Sequence, residues 1–123
     1  MRMLLALLGA CCVASIIVAQ EPRRPWSAPV AAEGKANPLR GRTDVLAGGK
    51  KVFRQRCSSC HREDGTGTSR GPNLMTAVVQ KQSDGALYWK ISGGNSRTGM
   101  PSFSFLPEPQ RWQLVAYLRS LAD

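Results

Sequence analysis

The 123-residue chain has a single histidine, His61, and four cysteines set as two close groups, Cys11-Cys12 and Cys57/Cys60. Cysteines so few and so grouped argue against the dense disulfide framework of small secreted scaffolds. Acidic side chains are scarce as well, eight against 17 Lys and Arg, for a formal net charge of +9. Aromatic residues make up only 7% of the chain and form no stacking platform for nucleic acid. After Val18 no apolar run approaches the roughly 20 residues that cross a bilayer, which excludes a polytopic membrane protein. The length suits one small domain, and a domain lean in apolar residues and rich in Gly and Pro needs a staple: a disulfide, a metal or a cofactor.

What is present begins with an export pattern. Arg2 precedes an apolar stretch from Leu4 to Val18, and Ala19-Gln20 opens a polar, proline-containing segment. That is the layout of a secretory signal peptide over residues 1–19, with cleavage after Ala19, although Ile17 is larger than such sites prefer. Two other outcomes stay open: lipidation at Cys11, in the lipobox-like Leu8-Gly9-Ala10-Cys11, and an uncleaved N-terminal anchor. Each carries the remainder out of the cytoplasm, to the bacterial periplasm, and only the latter two tie it to a membrane.

Residues 20–43 hold Pro22, Pro25, Pro29 and Pro38 with five basic and two acidic side chains and no helical or strand period. They are expected to be a flexible tether, with Trp26 and Asn37-Pro38-Leu39 as the places where it could dock. From Asp44 to the end lies one domain, 44–123. Asp44 should cap a helix over Val45–Arg56, Ser83 a second over Asp84–Ser92 closed by Gly93-Gly94, and a third should span Glu108–Ala122 on the stripe Leu114, Val115, Leu118, Leu121, Ala122. No segment alternates as a strand does. The expected fold is therefore all-α, three to four short helices and long loops around something that fills the middle.

Cys57-Ser58-Ser59-Cys60-His61 has the spacing of a c-type haem attachment sequence. Two thiols on one turn can add to the two vinyl groups of a porphyrin while the adjacent imidazole ligates its iron. The competing chemistries fit less well. A redox-active disulfide belongs at a helix start after a strand, whereas this motif ends a helix; structural zinc wants four ligands where three are at hand. The sixth iron ligand follows by elimination. With one histidine, bis-histidine ligation is excluded, and beyond the export segment only Met75 and Met100 carry thioethers. Met100, in Gly99-Met100-Pro101, is far enough along the chain to reach the opposite face; Met75, close to His61, belongs in the surrounding wall. A vacant or water-bound sixth position is the remaining case.

With Gly71-Pro72-Asn73-Leu74 downstream of the motif, residues 44–121 resemble the class I cytochromes c of the small bacterial monohaem kind. The resemblance implies one covalent haem c, Pro72 and Leu74 in its pocket, and the Pro72 carbonyl accepting a hydrogen bond from His61. It also implies that Gly49 and Phe53 on the first helix meet Tyr117 and Leu118 on the last. Trp89, Asn95 and Arg97 are candidates for the haem propionates. An iron saturated by His61 and Met100 offers no site to dioxygen or peroxide, so the expected function is one-electron transfer rather than catalysis. The basic excess suits a redox partner with an acidic docking face. The alternative is a haem subunit tightly associated with a periplasmic dehydrogenase or oxidase.

Overall fold

The computed structural model describes residues 25–122. The export segment, Cys11 and Cys12 lie outside the described residues. Among the described residues six α-helical elements follow one another: α1 (Val30–Glu33), α2 (Leu46–Arg56) preceded by a 3-10 turn at Thr43–Val45, α3 (Ser58–His61), α4 (Ala77–Gln80), α5 (Asp84–Gly93) and α6 (Glu108–Ser120). Among the described residues the only strand-like pairings are two isolated bridges, Thr68 with Gly71 and Asn95 with Met100.

The helices α2 and α6 cross at Gly49. A Cβ there would lie 2.2 Å from the Gln113 carbonyl oxygen and 2.8 Å from the Tyr117 Cβ, so only glycine lets the two backbones approach this closely. One turn on, Phe53 meets Tyr117 with ring centroids 5.3 Å apart, as the resemblance implied. The core is built around this crossing from Val52, Phe53, Leu87, Ile91, Phe103, Leu106, Trp112, Leu114, Val115, Tyr117 and Leu118. Burial of these side chains, each worth about 1.5–3 kcal/mol, holds helices too short to stand alone.

The capping expectations divide. Ser83 does cap α5, accepting from the Ala86 N–H at 3.1 Å, and Gly94, at φ 64°, closes that helix by bonding to the Lys90 carbonyl. Asp44 does not cap α2: its carboxylate is drawn to Arg42 within the 3-10 turn, and Val45 stands at the N-cap without a side-chain bond. At α6, Pro107 precedes the first turn, Pro109 sits inside it, and Glu108 turns to the Trp112 indole N–H at 3.2 Å. Prolines are tolerated there because first-turn N–H groups have no intrahelical acceptor.

The larger departure is the segment expected to be a flexible tether. Over 25–43 it is a strap laid on α5 and α6. Trp26 stacks under the Lys90 ammonium at 4.8 Å, the Ala32 carbonyl lies against Gly85 so closely that a Cβ there would come within 1.9 Å, and Asn37, buried, donates to the Trp112 carbonyl at 3.1 Å. The two docking places read from the sequence are thus both used. What periodicity could not reveal is that tertiary contacts, not a local repeat, fix the stretch.

Candidate haem-attachment site

Helix α2 delivers the chain to Cys57, where the backbone kinks (φ −117°, ψ −31°) and restarts as the single turn α3 carrying Cys60 and His61. The Ser58 hydroxyl bridges the break by donating to the Arg54 carbonyl at 2.6 Å. Both cysteines are unpaired and half-buried. Burial, with Cys60 beside it, pushes the Cys57 thiol up to about 12.

The histidine is oriented from behind. Its Nδ1 lies 2.9 Å from the Pro72 carbonyl oxygen, and since a carbonyl can only accept, Nδ1 carries the proton. The lone pair therefore resides on Nε2, which is the nitrogen left able to ligate a metal. Gly71 makes this possible: a Cβ on it would lie 2.9 Å from both the His61 Cε1 and the Cys60 carbonyl oxygen. Leu74 then folds over, its N–H on the Gly65 carbonyl at 2.8 Å. Gly65 and Gly67 both have left-handed backbones that the turn beneath the histidine requires.

Met100 is presented by a hairpin. Asn95 and Met100 exchange both backbone hydrogen bonds (2.8 and 3.1 Å), with Gly99 at φ 82° completing the turn. Two bonds staple this hairpin to the end of α5: Ser102 hydroxyl to the Ser92 carbonyl at 2.6 Å and Phe103 N–H to the Ile91 carbonyl at 3.1 Å. Half-buried Met100, Cys57 and Leu74 all pack against the same core cluster. Met75 is half-buried too, and its backbone N–H donates to the Asn73 Oδ1 at 2.8 Å. Asn95 uses its side-chain oxygen to accept from the Arg97 N–H, within the hairpin.

These residues fit a covalently attached haem. Two unpaired thiols at the attachment spacing, an imidazole with Nε2 as its lone-pair atom and a thioether bordering the same apolar wall supply the bonds that the group needs. The residues expected from the sequence, Cys57, Cys60, His61, Pro72, Leu74 and Met100, lie on α2, α3, the Gly71–Leu74 loop and the hairpin described above, and sequence reasoning named neither of two further residues of this region. These are Arg70 and Thr68, which bond to the carbonyls of Ser59 and Cys60. No motif marks them, and their role depends on a loop closing on itself.

Comparison with known proteins agrees. Residues 44–118 match the family described as cytochrome C oxidase, cbb3-type, subunit III. Cytochrome c 2.1 of Caenorhabditis elegans is 33% identical over 79 residues, 57% of this chain and 70% of that protein. Its counterpart in Caenorhabditis briggsae is 33% identical over 78 residues, 56% and 69% of the two chains. Cytochrome c oxidase subunit 2 of Alkalihalophilus pseudofirmus is 29% identical over 101 residues, which is 72% of this chain and 30% of that protein. No solved structure matches. The chain belongs to the cytochrome c family, as a class I c-type cytochrome that holds covalent haem c and carries electrons.

Proposed function

We propose that this cytochrome is exported and carries single electrons on a haem that Cys57 and Cys60 would hold covalently and whose iron His61 and Met100 would ligate. The observation that supports the reading is the His61–Pro72 bond, which leaves the Nε2 lone pair free for a metal, taken with Met100 held on a stapled hairpin beside the same core wall. When bound, haem c supplies a one-electron couple. The protein's part is to hold both ligands so that oxidation and reduction change little else. Pro72 raises the basicity of His61 by accepting from its Nδ1–H. Thioether ligation by Met100 and the apolar wall of Cys57 and Leu74 favour ferrous over ferric iron, giving a positive midpoint potential.

The basic excess of the domain suits weak, salt-sensitive docking on an acidic face of its electron donor or acceptor. Transfer to an anionic protein partner should slow as salt rises, while reduction by a small neutral reagent should not. A second reading has its own support. The matched family and the Alkalihalophilus relative are both described as cytochrome c oxidase subunits, so association with a terminal oxidase is the alternative to a free shuttle. Stoichiometric co-purification with such a complex would decide for it, and isolation as a lone monomer against it.

Ligation is tested by substitution. In Met100→Ala the far-red band of thioether-ligated ferric haem should vanish, carbon monoxide should bind the ferrous form and the midpoint potential should fall; Met75→Ala should do none of these. Carbon monoxide binding by the unmutated protein would instead indicate an open sixth position and a gas-binding or peroxidatic role. Export is tested by the mature N-terminus: Gln20 after signal cleavage, a lipidated Cys11, or an intact Met1.

A further inference from the structure

The last turn of α3 leaves the carbonyls of Ser59, Cys60 and His61 without helical partners, as every helix end does. The loop that follows supplies all three. The Arg70 guanidinium donates through Nη2 to the Ser59 carbonyl at 2.5 Å, the Thr68 hydroxyl to the Cys60 carbonyl at 2.7 Å, and the Gly67 N–H to the His61 carbonyl at 2.9 Å. The loop is itself closed, since Thr68 N–H bonds to the Gly71 carbonyl and the Thr68 hydroxyl accepts from the Arg70 N–H at 3.0 Å. Arg70 thus immediately precedes the Gly71-Pro72 pair that sets the histidine tautomer. It also reaches back, by its side chain, to the peptide between the two attachment cysteines.

We propose that Arg70 is a positioning and charge-tuning residue of the haem site: it latches the attachment turn onto the Pro72 loop and places a permanent positive charge beside it that favours the reduced form. The inference rests on haem attachment at Cys57, Cys60 and His61. Reduction by one electron lowers the charge of the site by one, so a fixed neighbouring cation stabilises the reduced form relative to the oxidised. A guanidinium suits this because it cannot lose its proton and its planar fork points donors at a carbonyl, and among the described residues no carboxylate forms an ion pair with Arg70. Arg70 is solvent-exposed, so its effect should be modest and screened by salt.

The two roles separate in a pair of variants. Arg70→Gln keeps hydrogen-bond donors and removes the charge; Arg70→Lys keeps the charge and loses the fork. Spectroelectrochemical titration of the haem-loaded proteins at low salt should show the ferrous-to-ferric ratio at fixed applied potential falling roughly two- to fivefold in Arg70→Gln. Arg70→Lys should stay close to the parent, and the Gln deficit should close at high salt. Thr68→Val, which removes a bond to the Cys60 carbonyl without altering charge, should leave the salt dependence as it is in the parent. Equal, salt-independent shifts in the Gln and Lys variants would reduce Arg70 to a structural latch and overturn the proposal, as would an unchanged ratio in Arg70→Gln. Failure of both variants to attach haem would overturn it too, since charge would then have no role apart from attachment. A pyridine haemochrome spectrum of the parent that lacked two thioether links would sink the attachment reading instead, a result distinct from any of these.

Discussion

At the scale of single residues, adjacent glycines on α2 make opposite predictions. Gly49 faces the Gln113 backbone, where an added methyl would sit 2.2 Å from an oxygen that cannot move without displacing α6. Gly49→Ala should therefore cost roughly 2–3 kcal/mol by overpacking. The nearest neighbour of Gly48 is the end of the Gln113 side chain, whose Oε1 would lie 2.6 Å from an added Cβ, and a side-chain amide can swing away. There the backbone entropy of glycine is the larger effect, so Gly48→Ala should be neutral or stabilise by up to about 1 kcal/mol. Thermal melts of the haem-loaded variants check both, and a lower melting temperature for Gly48→Ala than for Gly49→Ala would refute the crossing as described. The sequence showed Gly49 at helical spacing from Phe53, but only the resemblance said what it faced. The haem-site residues were legible for a different reason: attachment chemistry demands fixed residue types at fixed spacing, so Cys57, Cys60 and His61 stand out with no structure at all. Arg70 did not, because its partner is a backbone carbonyl and any residue offers one.

At the scale of elements, the longer helices could be read and the four-residue ones could not. Helices α2, α5 and α6 run long enough to repeat an apolar face, whereas α1, α3 and α4 complete barely one turn and owe their existence to what they touch. The position of α4 against α5 and α6 depends on Arg119, which pairs with Asp84 at 2.7 Å and donates to the carbonyls of Gln80 at 2.7 Å and Gln82 at 2.5 Å. The Asp84 side chain is only 10% exposed, and that figure decides the sign of the substitution. Arg119→Met would strand a mostly buried carboxylate and two carbonyls, so it should destabilise by about 3 kcal/mol, less if water reaches the partly open Arg119 side. Adding Asp84→Asn to Arg119→Met should recover part of that loss, as a double-mutant cycle measured by denaturant unfolding would show. Counted from the sequence, Arg119 was one more surface cation available to partners; in the fold it is an internal tie. Arg111 is spent in the same way, donating to the Ser92 hydroxyl at 2.6 Å and lying over the Tyr88 ring, which stacks on Trp112.

At the scale of the whole molecule, the question is why a domain of this length carries a strap. The match to the cytochrome c family begins at residue 44, so 25–43 is an addition to the matched region, laid over α5 and α6. Its contacts fall on α5, through Gly85 in the first turn and Lys90 in the last, and on Trp112 of α6; none of these bonds to the Met100 hairpin, and Cys57, His61 and Pro72 belong to α2, α3 and the loop beyond. The strap should therefore govern stability and leave the redox site alone. Asn37→Ala removes a buried amide whose Nδ2 serves the Trp112 carbonyl and whose Oδ1 holds the Leu39 N–H at 2.9 Å. Two such bonds, one to a buried group, make a loss of about 1–2 kcal/mol the expectation, which lowers the melting temperature by roughly 4–15 °C in a domain of this size. Trp26→Ala, at a half-buried site with one cation–π contact, should cost less, about 1 kcal/mol. Neither substitution should move the midpoint potential or the far-red band, because neither residue bonds to the His61 or Met100 loops. A change in potential with no change in melting temperature would reverse that assignment and make the strap part of the electron-transfer site.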